Sequence, residues 1–276
     1  QEGIITSQTT FLSVGGIQAG DWFFPDWLAG GHGLTDVKKS LASSVNTFYY
    51  YIGGGYKDFV GLGADLIGKY LKYFGFGQKL GIDLPGEKAG LVPSKEWKEA
   101  TTGERWYVGD TYNLSIGQGG LLVTPLQISL LTAVIANGGT LFQPHLLNYL
   151  KNPITKTQEK FPAKKINNYF FSEKYLSTIK VGMMDCVEYG SCRRLSALPF
   201  SVAGKTGTAQ WNKNKSNHAW FTSFAPVDNP EIVLTILVED GGEGSSIAVP
   251  IAYDFYQWWW SYKSKIKTPG SHESEI

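Results

Sequence analysis

The chain has 276 residues, enough for one large domain or for one domain with an appended lobe. Hydrophobic residues make up 42% of the sequence and aromatic residues 14%, as in a folded globular protein. Its 25 Lys and Arg residues nearly balance its 24 Asp and Glu residues, so the formal net charge is +1. Such a balance gives no electrostatic reason to expect nucleic acid as a partner.

The apolar runs are too short to cross a membrane. One of the longest, Ile232 to Val238, falls far below the roughly 20 residues that a spanning helix needs. The N-terminal residues Gln1 to Ser7 have no initiating Met, no basic region and no apolar core, so they are not a signal peptide. We expect the chain to be one piece of a longer polypeptide.

Helical patterns come first along the chain. One helix is expected over Thr35 to Ser43 and a second within the apolar pattern of Phe59 to Phe74. The stretch Gly63 to Tyr70 resembles a phosphate-binding loop, but Tyr70 replaces the Ser or Thr that would hold magnesium. No strand precedes it, so the sequence argues against nucleotide binding.

The middle of the chain alternates between loop and helix. Residues Gly75 to Pro93 are dense in Gly and Pro and indicate an extended loop region. Thr124 followed by Pro125 and a broad apolar face predicts a largely buried helix, which Asn137-Gly138 closes. A further helix is expected from Ser172 to about Cys186.

After Pro199 the apolar residues recur with the period of β-strands instead of helices. Three strands with short connections are expected to be antiparallel neighbours, over Ser201 to Gln210, Ala219 to Phe224 and Ile232 to Glu239. A terminal helix from Val249 to about Lys263 would place Tyr253, Tyr256 and Trp258 to Trp260 over this sheet. A membrane-interface belt is the less favoured use of these tryptophans. The pattern predicts an α+β fold, followed by a disordered tail over 268–276.

Cys186 and Cys192 stand six positions apart around Tyr189-Gly190. They are close enough for a disulfide across a helix end in an oxidising compartment. Two independent, half-buried thiols are at least as compatible with the sequence. Neither the spacing nor the neighbouring residues indicate a metal.

Two short motifs bear on chemistry. In Lys205-Thr206-Gly207-Thr208, a glycine inside a predicted strand suggests that another group approaches the backbone. Alternation puts Lys205 and Gly207 on one side of the strand and Thr206 and Thr208 on the other, unless a strand end or twist lets both sides reach one cleft. Ser44-Val45-Asn46 places a hydroxyl and a carboxamide just after a helix. Each motif alone is equally compatible with a turn or a helix cap.

In this order the two motifs resemble serine acyl-transferases that react with penicillin, which use Ser-x-x-Lys, then Ser-x-Asn, then Lys-Thr-Gly. The chain is similar over almost its whole length to elongation-specific peptidoglycan transpeptidases of the penicillin-binding protein family. The matching stretches are Gly31 to Gly33, Ser43 to Tyr50, Gly81 to Gly86, Val92 to Trp97, Trp106 to Thr111, Ser115 to Gly119, Thr124 to Gln127 and Lys205 to Gln210.

The resemblance implies a central antiparallel sheet packed between helices, in a partial transpeptidase domain over residues 1–267, and a role for each motif residue. Ser44 would relay a proton toward the leaving group, and Asn46 would donate to an amide carbonyl of the bound peptide. Lys205, Thr206 and Thr208 would hold the substrate carboxylate. The Thr208 N–H would form half of the oxyanion hole, and Gly207 would let the acyl group pass.

The Ser-x-x-Lys that supplies the nucleophile in this family is missing ahead of Ser44. The one literal match, Ser177 to Lys180, lies on a predicted helix whose apolar periodicity explains it. We expect the nucleophile to precede Gln1 in a longer polypeptide, and the present chain alone to be inactive.

The family resemblance also raises the question of zinc, which some relatives bind near the active site through two Asp, a His and a Cys. Asp21, Asp26 and His32 are candidate ligands, but Val45 stands where the cysteine would fall. With one ligand missing, we expect neither a metal nor a cofactor.

The expected activity is that of a D-Ala-D-Ala transpeptidase or carboxypeptidase acting on peptidoglycan stem peptides and inhibited by β-lactams. The resemblance implies a RodA-type glycan polymerase and an MreC scaffold as partners. It also implies an upstream anchor in the bacterial inner membrane, with this domain in the periplasm. Two alternatives stay open: a serine β-lactamase, which rapid penicillin turnover would reveal, and a non-catalytic cell-wall scaffold that lacks Ser-x-x-Lys upstream.

Overall fold

The computed structural model describes residues 1–166 and 171–267. The tail predicted over 268–276 lies outside these residues. No helix in the described part of the chain is long and apolar enough to span a membrane.

The N-terminal region contains four short strands that the sequence pattern did not predict. β1 (Phe11–Ser13) pairs antiparallel with β4 (Gly33–Thr35), and β2 (Gly16–Ala19) pairs antiparallel with β3 (Trp22–Pro25). Strands of three or four residues are too short to show an alternating apolar pattern. Gly31 lets the chain cross β1 closely, since a Cβ atom there would lie 2.3 Å from the Ser13 carbonyl oxygen.

Helices follow. α1 (Val37–Ala42) is capped by Asp36, whose carboxylate accepts a hydrogen bond from the Lys39 N–H at 2.8 Å. α2 (Asn46–Gly54) begins four residues later, and α3 (Gly63–Tyr73) is the helix predicted from the apolar pattern. The phosphate-loop resemblance therefore lies on an α-helix, as expected.

The middle of the chain contains the predicted capped helix and two helices that were not predicted. α6 (Pro125–Ala136) has a capping box, in which Thr124 Oγ1 accepts from the Gln127 N–H while Gln127 Oε1 accepts from the Thr124 N–H. The pattern did not predict α4 (Lys95–Thr102) or α5 (Val108–Ser115), which are short. A small hairpin of β5 (Tyr149–Lys151) and β6 (Gln158–Lys160) then leads to α7 (Glu173–Glu188).

The three C-terminal strands form the central antiparallel sheet in the predicted order. β7 (Ala203–Ala209) pairs with β8 (His218–Ala225), which pairs with β9 (Ile232–Val238), so β7 lies at an edge of this sheet. Ala219 and Phe221 pack toward α8 (Ala248–Lys267), whereas Phe224 packs against α6 and α7. The sheet therefore lies between helices, and the α+β prediction is confirmed.

The aromatic residues of α8 divide between the core and the surface. Tyr256 is fully buried and its hydroxyl lies 2.8 Å from Ser223 Oγ, while Trp260 stacks on Phe200. Trp258 is 58% exposed and stacks on Tyr262 instead. The prediction that three consecutive tryptophans cover the sheet is wrong for Trp258, because neighbouring residues on a helix point about 100° apart.

Candidate active site

The structure brings Ser44 and Lys205 into contact where the junction of α1 and α2 meets the edge strand β7, a junction here called the cleft. Lys205 Nζ donates to Ser44 Oγ at 2.9 Å, although 161 residues separate the two. Ser44 lies between α1 and α2 with φ of 54°, a left-handed conformation uncommon outside glycine. This conformation, which costs energy, aims the hydroxyl out of the helix junction toward β7.

Lys205 is an ammonium without an acidic partner. Its Nζ also donates to the Thr206 carbonyl oxygen at 2.7 Å, and no ion pair among the described residues includes it. Burial lowers the pKa of Lys205 from its ordinary value to about 8. A desolvated cation with two neutral hydrogen-bond acceptors favours the arrival of an anion.

Asn46 opens α2 and lies on the same side of the cleft as Ser44. Its carboxamide Nδ2 is 3.4 Å from the Pro25 carbonyl oxygen, a weak bond, and a side-chain hydrogen bond with the Tyr50 hydroxyl also engages it. The backbone at Asn46 is firmly held, because its N–H donates to Asp26 Oδ1 at 3.1 Å.

The alternation predicted for β7 is confirmed. Lys205 lies opposite Thr222, whose hydroxyl faces Thr132 of α6, whereas Thr206 lies opposite Phe221 on the α8 side. The Thr206 hydroxyl is 2.6 Å from Ser191 Oγ. The structure therefore gives the Thr206 hydroxyl a protein partner on the face of β7 away from the Lys205 side chain.

Gly207 and Thr208 complete the motif at the end of β7. A Cβ atom on Gly207 would lie 3.1 Å from Trp220 Cβ, so the neighbouring strand already leaves little room. The Thr208 hydroxyl accepts from the Gly244 N–H at 3.5 Å, a long contact. Thr208 is exposed.

Sequence reasoning missed two side chains that touch this strand. Gln118 Nε2 donates to the Thr208 carbonyl oxygen at 3.1 Å, and Ser191 bonds to Thr206. Gln118 belongs to the Ser115 to Gly119 stretch that carried the family resemblance, so its signal was present but had no assigned role. Ser191 had no signal, since a serine between two cysteines matches no motif.

The zinc candidates do not form a metal centre. Asp26 is buried and His32 Nε2 lies 3.7 Å from its Oδ1, but Asp21 is exposed in the turn between β2 and β3. Within residues 1–166 and 171–267, no group of three or more His, Cys, Asp or Glu side chains is placed to hold a metal ion.

Asp26 has a different use, which the sequence reasoning also missed. Its carboxylate accepts from the Ser13 hydroxyl and from the N–H groups of Asn46 and Thr47, at 3.0, 3.1 and 3.2 Å. A buried anion at the N-terminus of α2 satisfies the free N–H groups there. His32 Nε2 is buried without a hydrogen bond, and burial lowers the pKa of His32 more than Asp26 raises it. With Asp26 so engaged and Val45 in place of a thiol, these residues do not fit zinc.

The literal Ser-x-x-Lys match on α7 is not assembled as a catalytic pair. Ser177 Oγ donates to the Lys174 carbonyl oxygen, and Lys180 Nζ donates to the Ala136 carbonyl oxygen, each at 3.0 Å. The hydroxyl and the ammonium therefore bond to different backbone groups.

The two cysteines form a disulfide, with a Cα–Cα distance of 5.2 Å. The choice that the sequence left open is thereby resolved in favour of the bridge.

Known proteins resemble this chain in both sequence and architecture. The model of the penicillin binding protein transpeptidase domain matches residues 1–257. The peptidoglycan D,D-transpeptidase MrdA of Acinetobacter baumannii is 33% identical over 264 residues, which cover 91% of this chain and 38% of that protein. The chain thus spans about two fifths of the length of this curated relative.

Solved structures also match this chain. The complex between PBP2 and MreC from Helicobacter pylori matches with a TM-score of 0.79 and 33% identity, over 94% of this chain and 46% of the matched chain. A peptidoglycan synthase complex, described as coordinating polymerization and crosslinking, matches with a TM-score of 0.79 and 28% identity, over 99% of this chain and 44% of the matched one. With its motifs in one cleft and its fold shared, the chain belongs to the penicillin-binding protein transpeptidase family.

Proposed function

We propose that this chain is part of the transpeptidase domain, over residues 1–267, of an enzyme that crosslinks peptidoglycan stem peptides during cell elongation and rod-shape maintenance. The observation that carries the proposal is the contact between Lys205 and Ser44, in which a desolvated cation beside an edge strand has no acidic partner among the described residues. A stem peptide ends in a carboxylate, which supplies the missing anion. Relatives named as D,D-transpeptidases favour synthesis over a β-lactamase activity.

The reaction would proceed through a serine acyl-enzyme. A serine of a Ser-x-x-Lys segment attacks the carbonyl between the last two D-alanines while its Lys takes the proton. D-alanine leaves as the acyl-enzyme forms. The amino group of a neighbouring stem peptide then attacks the acyl-enzyme, which releases the serine and leaves the crosslink. With a β-lactam the reaction would stop at the acyl-enzyme ester.

The residues of this chain would assist each step. Ser44, bonded to Lys205, passes a proton toward the departing amine. Lys205, with the Thr206 and Thr208 hydroxyls, binds the substrate carboxylate. For Thr206 this role requires its hydroxyl to bond to the substrate while it keeps its bond with Ser191. Asn46 donates to an amide carbonyl of the peptide, in place of its long 3.4 Å contact with the Pro25 carbonyl oxygen.

The backbone at Thr208 suits an oxyanion hole. Gln118 reaches the Thr208 carbonyl from outside the sheet, so this carbonyl points to the open edge of β7. In a strand the N–H and C=O of one residue point to the same side, so the Thr208 N–H faces the cleft as well. One such donor contributes on the order of 3 kcal/mol to the transition state.

The partners and location belong to the proposal. The MreC partner rests on the Helicobacter pylori PBP2 complex, and the RodA-type polymerase rests on the peptidoglycan synthase complex. We place the domain in the periplasm at the bacterial inner membrane. The Cys186–Cys192 disulfide supports an oxidising compartment of this kind.

Acylation by a fluorescent penicillin tests the proposal. In a polypeptide that joins this domain to its Ser-x-x-Lys segment, Lys205→Ala and Asn46→Ala should each slow labelling by about 10²-fold, as expected for one charge or oriented donor in a dry site. Ser177→Ala is the matched control and should label at the parent rate. Chain 1–276 alone should stay unlabelled, since it has no Ser-x-x-Lys ahead of Ser44. Unchanged labelling of both Lys205→Ala and Asn46→Ala would show that these two residues do not have the proposed roles.

A further inference from the structure

The segment from Cys186 to Cys192, here called the disulfide loop, lies between the two sides of the cleft. It begins within the last turn of α7, and the Cys192 N–H donates to the Cys186 carbonyl oxygen at 2.9 Å. Both cysteines are fully buried in the core between α7, the sheet and α8. The disulfide closes this loop at its base, so the residues between the cysteines have little freedom.

On the helix side, the disulfide loop packs against the end of α1. The Ser191 N–H points to the Ala42 carbonyl oxygen at 3.4 Å. A Cβ atom on Gly190 would lie 2.2 Å from the same oxygen, so only glycine permits this approach. Ala42 is two residues from Ser44, and the loop therefore supports the backbone that presents the Ser44 hydroxyl.

On the strand side, the loop reaches the residue that follows Lys205. Ser191 Oγ is 2.6 Å from Thr206 Oγ1 and 3.3 Å from Cys186 Sγ. The Thr206 carbonyl in turn accepts from Lys205 Nζ at 2.7 Å. Ser191 thus joins the disulfide to the peptide unit that holds the Lys205 ammonium.

We propose that Ser191 is a positioning residue for the reaction, which orients Thr206 and through it the Lys205 ammonium for the substrate carboxylate, and that the Cys186–Cys192 disulfide holds Ser191 in place. Ser191 itself touches neither Lys205 nor Ser44 through its side chain. Its contribution is geometric: it fixes the Thr206 hydroxyl on one face of β7 while the Thr206 carbonyl stays on the ammonium. This inference rests on the proposed function.

The first experiment measures penicillin labelling of the polypeptide that includes the Ser-x-x-Lys segment, as a function of penicillin concentration. Ser191→Ala should raise the half-saturating concentration about tenfold, the size expected for one buried hydrogen bond. Ser191→Thr, which keeps the hydroxyl, should restore it. Ser196→Ala is the matched control, because this exposed serine bonds only to the nearby Arg193 carbonyl oxygen and should bind like the parent.

Concentration dependence separates positioning from folding. A variant that merely unfolds lowers the fraction of protein that is labelled, while its half-saturating concentration stays that of the parent. Full labelling of Ser191→Ala at the parent concentration would overturn the proposal, as would a reduced fraction at an unchanged concentration. Failure of the parent itself to be labelled would instead count against the proposed function.

A second measurement on chain 1–276 does not depend on acylation. Titration of the Lys205 side chain by NMR should give a midpoint near the lowered pKa of about 8 in the parent. In Ser191→Ala the midpoint should rise toward the ordinary lysine value, because a less constrained ammonium regains water. An identical midpoint in parent and variant would contradict the positioning role.

The disulfide is tested by removing both sulfurs. Cys186→Ala with Cys192→Ala should raise the half-saturating concentration as Ser191→Ala does, and adding Ser191→Ala should cause no further rise, since the changes act along one path. Parent-like binding by the double cysteine variant would overturn the part played by the disulfide. Additive rises in the half-saturating concentration would show that the disulfide and Ser191 act independently.

Discussion

The two sides of the cleft are built in different ways. Lys205 lies on β7, which is held along its length by the ladder with β8, so its position follows from a regular sheet. Ser44 and Asn46 lie at a junction between two short helices, where two successive backbone N–H groups share one buried acceptor, the Asp26 carboxylate. A repeated ladder distributes the cost of a lost contact over many bonds, whereas a junction concentrates it on a few. We therefore expect the helix side to be the more fragile.

The largest expected effect follows from removing that carboxylate. Asp26→Ala leaves the Asn46 and Thr47 N–H groups without their acceptor and the buried Ser13 hydroxyl with only a long 3.4 Å contact to Thr47 Oγ1. The free energy of unfolding should fall by about 3 kcal/mol, measured by urea denaturation. Asp21→Ala is the matched control, because this exposed carboxylate has no described bond and its loss should cost less than about 0.5 kcal/mol. Equal losses would show that the helix side does not depend on Asp26.

The strand side should respond to pH through Lys205. Its pKa is lowered to about 8 in the folded chain, against an ordinary value of 10.5. Between these two values the unfolded chain binds the proton and the folded chain does not, so this residue makes stability rise as pH increases from about 8 to about 10.5. Below pH 8 both states are protonated and its contribution is flat.

Comparison with Lys205→Met isolates this effect from other titrating groups. The parent should gain up to about 2 kcal/mol relative to the variant across the window, a reduced figure because the half-buried side chain keeps some water. Urea denaturation at several pH values measures the difference. Parallel curves for the two proteins would mean that burial of the ammonium costs little, and that the strand side is no more desolvated than an ordinary surface.

The same difference, between regular and irregular regions, explains which elements could be predicted from the sequence. β7, β8 and β9 have seven or eight residues each and connect through short polar turns, so local pattern was enough to predict them and their order. β1 to β4 consist of three or four residues each, and β1 pairs with β4 across the intervening hairpin. Their stability comes from contacts between segments distant in sequence, such as Ser13 with Asp26, which no local period records.

For the site, motif order was sufficient to bring Ser44 and Lys205 together, but not to find what supports them. Gln118 and Ser191 reach β7 only because α5 and α7 end beside it. Asp26 was named as a candidate metal ligand because the family resemblance raised the question of zinc. Its actual use, as acceptor for the start of α2, depends on backbone N–H groups that the sequence does not display.

The smallest expected effect is that of metal removal, and it tests the same side of the cleft. A zinc ion would compete with the Asn46 and Thr47 N–H groups for the Asp26 oxygens and would lack a thiolate at Val45, so binding should be weak. Metal analysis of protein purified without chelator should find well under one zinc per chain, and a chelator should leave the melting temperature unchanged. Stoichiometric zinc that disappears in His32→Ala would contradict this, and would mean that Asp26 exchanges its capping bonds for a metal.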